Sequence, residues 1–151
     1  VKILVSACLL GLPTRFDLLS KPCDKILNLL EKHVIIPVCP EQLGGLGTPR
    51  PPSEIQGGKG WNGEEKVINI KGEDVTENFV RGAELTVKIA RLLKVDLVIL
   101  KSGSPSCGVH EVYDGTFTKN LVRGSGVTAW FLKKEGFHVV DENDSLLDDL
   151  V

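Results

Sequence analysis

Four cysteines stand far apart in this chain, at Cys8, Cys23, Cys39 and Cys107. None belongs to a Cys-x-x-Cys pair, so a small zinc module is not indicated. Cys39 opens "CPEQLGG", directly after the β-branched run "VIIPV", and Cys107 stands near the end of "SGSPSCG". An ordinary turn needs the glycines. It does not need a thiol with a carboxylate, Glu41, two residues on. In a reducing compartment such a set points to metal binding or catalysis rather than to disulfides. Three thiolates around a metal leave a coordination position open, on zinc or on an iron–sulfur cluster short of its fourth cysteine. Soft sulfur donors suit iron–sulfur clusters, zinc and copper(I), and the sequence does not choose among them.

Such distant thiols meet only through the fold. Lys2–Ala7 reads as a central parallel strand, with Cys8 just beyond it. A helix is expected from about Lys21 to Lys32, with Pro22 in its first turn. Leu27 and Leu30 then make Cys23 a buried packing residue. Val34–Val38 is a strand that ends at Cys39. From Cys39 to Gly63, glycine and proline predict mostly loop, and Lys66–Ile70 predicts a short strand at an edge. Asp74, with Glu77 three residues on, caps a long helix over 76–94 whose Phe79, Ala83, Val87 and Ala90 share one face. Val95–Lys101 is the next strand, and Cys107 lies in the loop after it. Glu111–Thr118 alternates around Asp-Gly, the dipeptide of tight type I′ hairpins. A helix from Val127 closes at Gly136. Phe137–Asp141 is a last strand, and Asp144–Leu150 a short terminal helix.

Alternating strands and helices predict an α/β fold over 1–151. It is a single-domain, three-layer, Rossmann-like parallel sheet with helices on both faces, plus a small hairpin. Right-handed crossovers gather the strand C-terminal ends on one rim. Cys8, Cys39 and Cys107 therefore arrive together, where open α/β sheets bind ligands.

Composition narrows the partners. The 151 residues carry a formal net charge of −2 with both signs interspersed, so no nucleic-acid partner is expected. No apolar run approaches the roughly 18 residues of a membrane span, and no membrane partner is expected. The apolar start lacks a signal-peptide layout. The expectation is a cytoplasmic protein acting on a small molecule, as a monomer or weak homodimer.

Longer blocks carry a resemblance. "VSACLLG" (Val5–Gly11), "PVCPEQLGGLGTPRPPSEI" (Pro37–Ile55), "DVTENFVRGA" (Asp74–Ala83), "LKSGSPSCG" (Leu100–Gly108), "YDGTF" (Tyr113–Phe117) and "GSGVTAWFL" (Gly124–Leu132) resemble the family, long catalogued without a function, that includes the bacterial thiouracil desulfidases. The similarity spans about Lys2 to Val140. It implies a 4Fe–4S cluster on Cys8, Cys39 and Cys107, with Glu41 and Ser104 as catalytic residues near its open iron. The implied reaction is non-redox desulfuration of a small thiolated substrate, a thiocarbonyl compound such as a thiouracil, releasing hydrosulfide. The family more often has Tyr-Asp-Gly where this chain has Phe16-Asp17-Leu18.

The residues leave further candidates. Arg50, between prolines, is a candidate for substrate binding. So are Asp17 in the first loop and Gly126, whose amide precedes a helix and is placed to meet an anion. Gly44 and Gly45 would let the backbone approach cluster or substrate closely. Trp61 reads as a lid over a flat base or as an exposed loop aromatic. His110 is within reach of a metal but reads more readily as polar decoration. Two alternatives stand beside the enzyme: a non-catalytic iron–sulfur sensor or carrier, and a three-thiolate zinc hydrolase. Glu41 and Ser104 beside the thiols favour the enzyme.

Overall fold

A computed structural model describes residues 1–150. In chain order its elements are β1 (Lys2–Ser6), α1 (Asp24–Asn28), β2 (Val34–Val38), α2 (Pro40–Leu43), β3 (Ser53–Ile55), β4 (Val67–Asn69) and α3 (Thr76–Leu92). There follow β5 (Leu97–Leu100), β6 (Glu111–Tyr113), β7 (Leu121–Arg123), α4 (Val127–Lys134), β8 (Val139–Asp141) and α5 (Leu146–Leu150).

The main sheet is parallel throughout, in the order β2-β1-β5-β8. Parallel strands bury both faces, and alternate residues divide between them. Ile3, Val5, Leu97 and Ile99 pack with Ile26 of α1 and Leu147 of α5. Leu4, Val98 and Leu100 face the other way, onto Val87 and Ala90 of α3 and Leu132 of α4. The fold is therefore the expected three-layer α/β arrangement with helices on both faces. The N-cap of α3 is Val75 rather than the expected Asp74, one residue earlier, though the Asp74 carboxylate accepts the Thr76 N–H at 2.9 Å. Phe79, Ala83, Val87 and Ala90 are its buried face, as the spacing predicts. Among the described residues, no helix is long and apolar enough to cross a membrane.

Three further expectations need correction. The first helix starts at Asp24, with Cys23 as its half-buried N-cap residue, and passes into a 3-10 turn at Leu29–Glu31. Ile26 and Leu29 form its buried stripe, while Leu30 is exposed. The stretch after Cys39 is mostly loop, as expected, with two short elements set in it, α2 and β3, and β3 pairs antiparallel with β4. Asp114-Gly115 makes no two-residue hairpin. β6 pairs with β7 across residues 114–120, because Asp114 accepts the Thr116 N–H and the Asn120 side chain, building a wider loop. Trp61 is neither lid nor exposed aromatic. It is 3% exposed, in a third core with Ile55, Val67, Phe79 and Val112.

Candidate active site

β2, β1 and β5 lie side by side, and the turn after each delivers one thiol. Cys8 sits in the 3-10 turn Ala7–Leu10 after β1. Cys39 joins β2 to α2, where Pro40 suits the first helical position. Cys107 lies in the segment after β5. All three line one cavity of about 550 Å³. Cys23 stands apart from it, packed at the edge of the α1 core.

Burial pushes the Cys8 thiol up to about 11, with Lys101 in opposition and Cys39 raising it further. Burial likewise pushes Cys107 up to about 12, opposed by its hydrogen-bond contacts with Ser6 and Ser106. Without metal these are neutral thiols, and a soft metal that displaces their protons suits such a site. Among the described residues, no three His, Cys, Asp or Glu side chains gather tightly enough to hold a single metal ion. Three soft donors spread around one cavity fit a metal–sulfur group wider than one ion. Basic side chains on the lining (Arg15, Lys21, Arg50, Lys101 and Lys119) outnumber Glu41 and Glu54, which suits an anionic occupant.

Beside the thiols runs a continuous series of hydrogen bonds. Arg50 Nε donates to Glu41 Oε1 at 2.9 Å, in an ion pair whose side chains are 6% and 14% exposed. Ser106 Oγ donates to Glu41 Oε2 at 2.9 Å. Ser104 Oγ stands 3.0 Å from Ser106 Oγ and accepts the Cys107 and Ser106 N–H groups at 3.0 and 3.2 Å. With the Ser106 proton on Glu41, the Ser104 proton is left to point at Ser106. The series therefore runs Ser104 to Ser106 to carboxylate. Sequence reasoning missed Ser106. Its signal was the Ser-Pro-Ser spacing, which sets two hydroxyls about one turn.

Arg50 is not free for a substrate. Its other nitrogens donate to Gly47 O at 3.2 Å, Thr48 Oγ1 at 2.8 Å and Thr14 O at 3.0 Å, and Nη2 is 3.9 Å from Cys39 Sγ. The guanidinium ties the Cys39 turn, the first loop and Glu41 together. Gly126 is likewise taken up inside the fold. Its N–H donates to Gly108 O at 2.8 Å, and the next three amides of α4 donate to Pro105 and Ser106 carbonyls. A Cβ on Gly126 would meet the Ser106 carbonyl oxygen at 2.7 Å. The helix N-terminus therefore holds the Cys107 segment rather than an anion. Gly44 also differs from expectation. A Cβ there would lie 2.0 Å from Asn78 O, so its close approach is to α3, not to a ligand.

The remaining candidates lie outside the thiol cavity. Asp17 is exposed and pairs with Arg15 at 3.2 Å, while Arg15 itself lines the cavity. The Arg15 hydrogen bond, aided by the Leu19 N–H, holds the Asp17 carboxyl below the usual range. His110 lines a separate hollow with Asp141 and Asn143.

The chain is similar to known proteins over nearly its whole length. Residues 3–144 match the family model described as 2-thiouracil desulfurase. The uncharacterized protein YbbK of Bacillus subtilis (strain 168) is 43% identical over 152 residues, covering 99% of each chain. A solved structure described as the 4Fe–4S-dependent thiouracil desulfidase TudS superimposes with a TM-score of 0.83 at 39% identity, again over 99% of each chain. Sequence, fold and a cavity lined by three cysteines thus lead to one assignment: the chain belongs to the 2-thiouracil desulfurase family.

Proposed function

We propose that this protein removes sulfur from a thiouracil-like thiocarbonyl compound by hydrolysis, and that Cys8, Cys39 and Cys107 hold a 4Fe–4S cluster for the purpose. The observation that carries the reading is the part-buried Arg50–Glu41–Ser106–Ser104 series set against three thiols in one cavity. Held by three thiolates, such a cluster keeps one iron available as a thiophilic Lewis acid toward the substrate sulfur. The likeness to a solved structure described as 4Fe–4S-dependent, over 99% of each chain, supports a cluster over zinc.

The protein's own residues supply the proton chemistry. Arg50 fixes Glu41 by one oxygen and leaves the other facing the serines. Glu41 takes the proton of a water that adds to the thiocarbonyl carbon. Glu41 returns that proton to the sulfur as the carbon–sulfur bond breaks, the added hydroxyl gives up its own proton through the serines to become the carbonyl, and hydrosulfide leaves. Ser104 and Ser106 pass protons between the cavity and Glu41. Such acid–base assistance is worth about 10²–10⁴-fold. The basic lining stabilises the departing anion. A carrier or sensor would have no use for a carboxylate and two hydroxyls aligned beside its ligands.

The test is anaerobic reconstitution with iron and sulfide, followed by assay of 2-thiouracil. Brown protein that releases sulfide and uracil in equal amounts is expected. Protein that takes up iron and sulfide but yields no uracil would overturn the enzymatic reading in favour of a carrier.

A further inference from the structure

Glu54 of β3 is an acidic side chain that the chemistry above leaves idle. The residue is 8% exposed and borders the thiol cavity. Its Oε1 accepts the N–H of Gly115 at 2.9 Å and that of Phe117 at 3.2 Å. From the same strand edge, Gln56 Nε2 donates to the Gly115 carbonyl at 3.2 Å. The loop between β6 and β7 is thus gripped by both its amide and its carbonyl groups. It is also braced internally, by Asp114 with Thr116 at 2.9 Å and with Asn120 at 2.9 Å.

The braced loop holds its backbone in an uncommon form. Phe117 has φ +58° and Lys119 φ +60°. A bulky residue in the left-handed region is a strained choice, and such strain gathers at ligand sites where surrounding contacts enforce it. Phe117 is half-buried and lines the cavity together with Tyr113 and Lys119. Phe16, the other phenyl ring on the lining, already carries the Arg15 guanidinium 5.6 Å from its centroid. The face of Phe117 has no such occupant among the cation–π and ring pairs of the described residues.

We infer that Phe117 is a stacking wall for the planar ring of the substrate, and that Glu54 is the positioning residue that holds it there. This rests on the thiouracil-like substrate proposed above. A thiocarbonyl in a flat heteroaromatic ring gains a contact that thiourea, with no ring, does not. Phe117 thus selects ring compounds, while the thiols and Glu41 act on the sulfur-bearing carbon.

Two measurements on the anaerobic holoprotein decide it: equilibrium binding of uracil, which has the ring but no sulfur, and steady-state sulfide release from 2-thiouracil. Phe117→Ala is expected to weaken uracil binding and raise KM for 2-thiouracil by about tenfold, the low end of a base–aromatic stack. It should leave kcat and the cluster absorbance unchanged. Phe117→Tyr, which keeps the ring, should bind as wild type does. Glu54→Ala should move KM in the same direction, and Glu54→Gln, which keeps an acceptor oxygen, should restore most of it. Wild-type uracil affinity in Phe117→Ala overturns the inference, as does failure of the wild-type protein to bind uracil. Uracil binding that depends on Phe117, without sulfide release by the wild type, sinks the enzymatic reading and leaves the stacking wall in place.

Discussion

The cavity has two unlike walls. On the inner side Arg50, Glu41, Ser106 and Ser104 are enclosed and joined end to end, and Cys107 is held by its neighbours' backbone. On the outer side the loop between β1 and α1 exposes Leu12, Leu18 and Leu19, and its ion pair, Arg15–Asp17, lies open to water. Both walls contain an arginine–carboxylate pair, yet only the enclosed one is shielded enough to fix a geometry. Proton transfer needs atoms fixed to within fractions of an ångström, whereas recognition tolerates a loop that varies. The departure from the family's Tyr-Asp-Gly, at Phe16-Asp17-Leu18, falls in the outer wall, where change is least costly.

Removal of the inner thiols breaks this contrast most severely. Serine at Cys8, Cys39 or Cys107 should abolish the visible absorbance of the reconstituted protein, while Cys23→Ser should keep it. Glu41→Gln should keep the absorbance and lower kcat by about 10²–10⁴-fold in a sulfide-release assay. Unchanged turnover would remove Glu41 from the chemistry. Gly126→Ala forces a methyl group onto the Ser106 carbonyl and should cost about 1–3 kcal/mol in denaturant unfolding, with iron content falling alongside. The outer wall should respond less, and at one position in the opposite direction. Leu18 has φ +66°, at the position where the family more often has glycine. Relief of the left-handed strain, about 1–2 kcal/mol, exceeds the extra freedom of glycine when unfolded, about 0.5–1 kcal/mol. Leu18→Gly should therefore raise stability by about 0.5–1 kcal/mol. Asp17→Asn should change it by less than about 1 kcal/mol, as for an exposed pair.

The parallel strands, α3 and the shared rim were legible because burial on both faces writes long apolar runs, and because strand order places loop residues whatever their distance in sequence. The residues that organise the site were less so. Arg50 read as a substrate contact because nothing local reveals that its partner is Glu41, nine residues back across α2. Ser106 was hidden behind Ser104, since only the folded turn shows which hydroxyl reaches the carboxylate. Gly126 resembled an anion site because a helix start does not disclose that other backbone already occupies its amides. Trp61 lay in a glycine-rich stretch that looked exposed, and its burial depends on β3, β4 and α3 meeting around it. β4 and β6 were anticipated at Lys66–Ile70 and Glu111–Thr118, whereas their partners β3 and β7, three residues each, are too short to leave a period of two.

Sheet order has a further consequence. β1 runs between β2 and β5, so the Cys8 turn is flanked on either side by a turn bearing another thiol. Adjacent strands are separated by about 4.8 Å, a spacing set by backbone hydrogen bonding and indifferent to side chains. The peptide framework thus acts as a ruler for the three thiol-bearing segments. A rearranged chain with a foreign strand inserted between β1 and either neighbour would retain every cysteine and no longer deliver them side by side to one cavity.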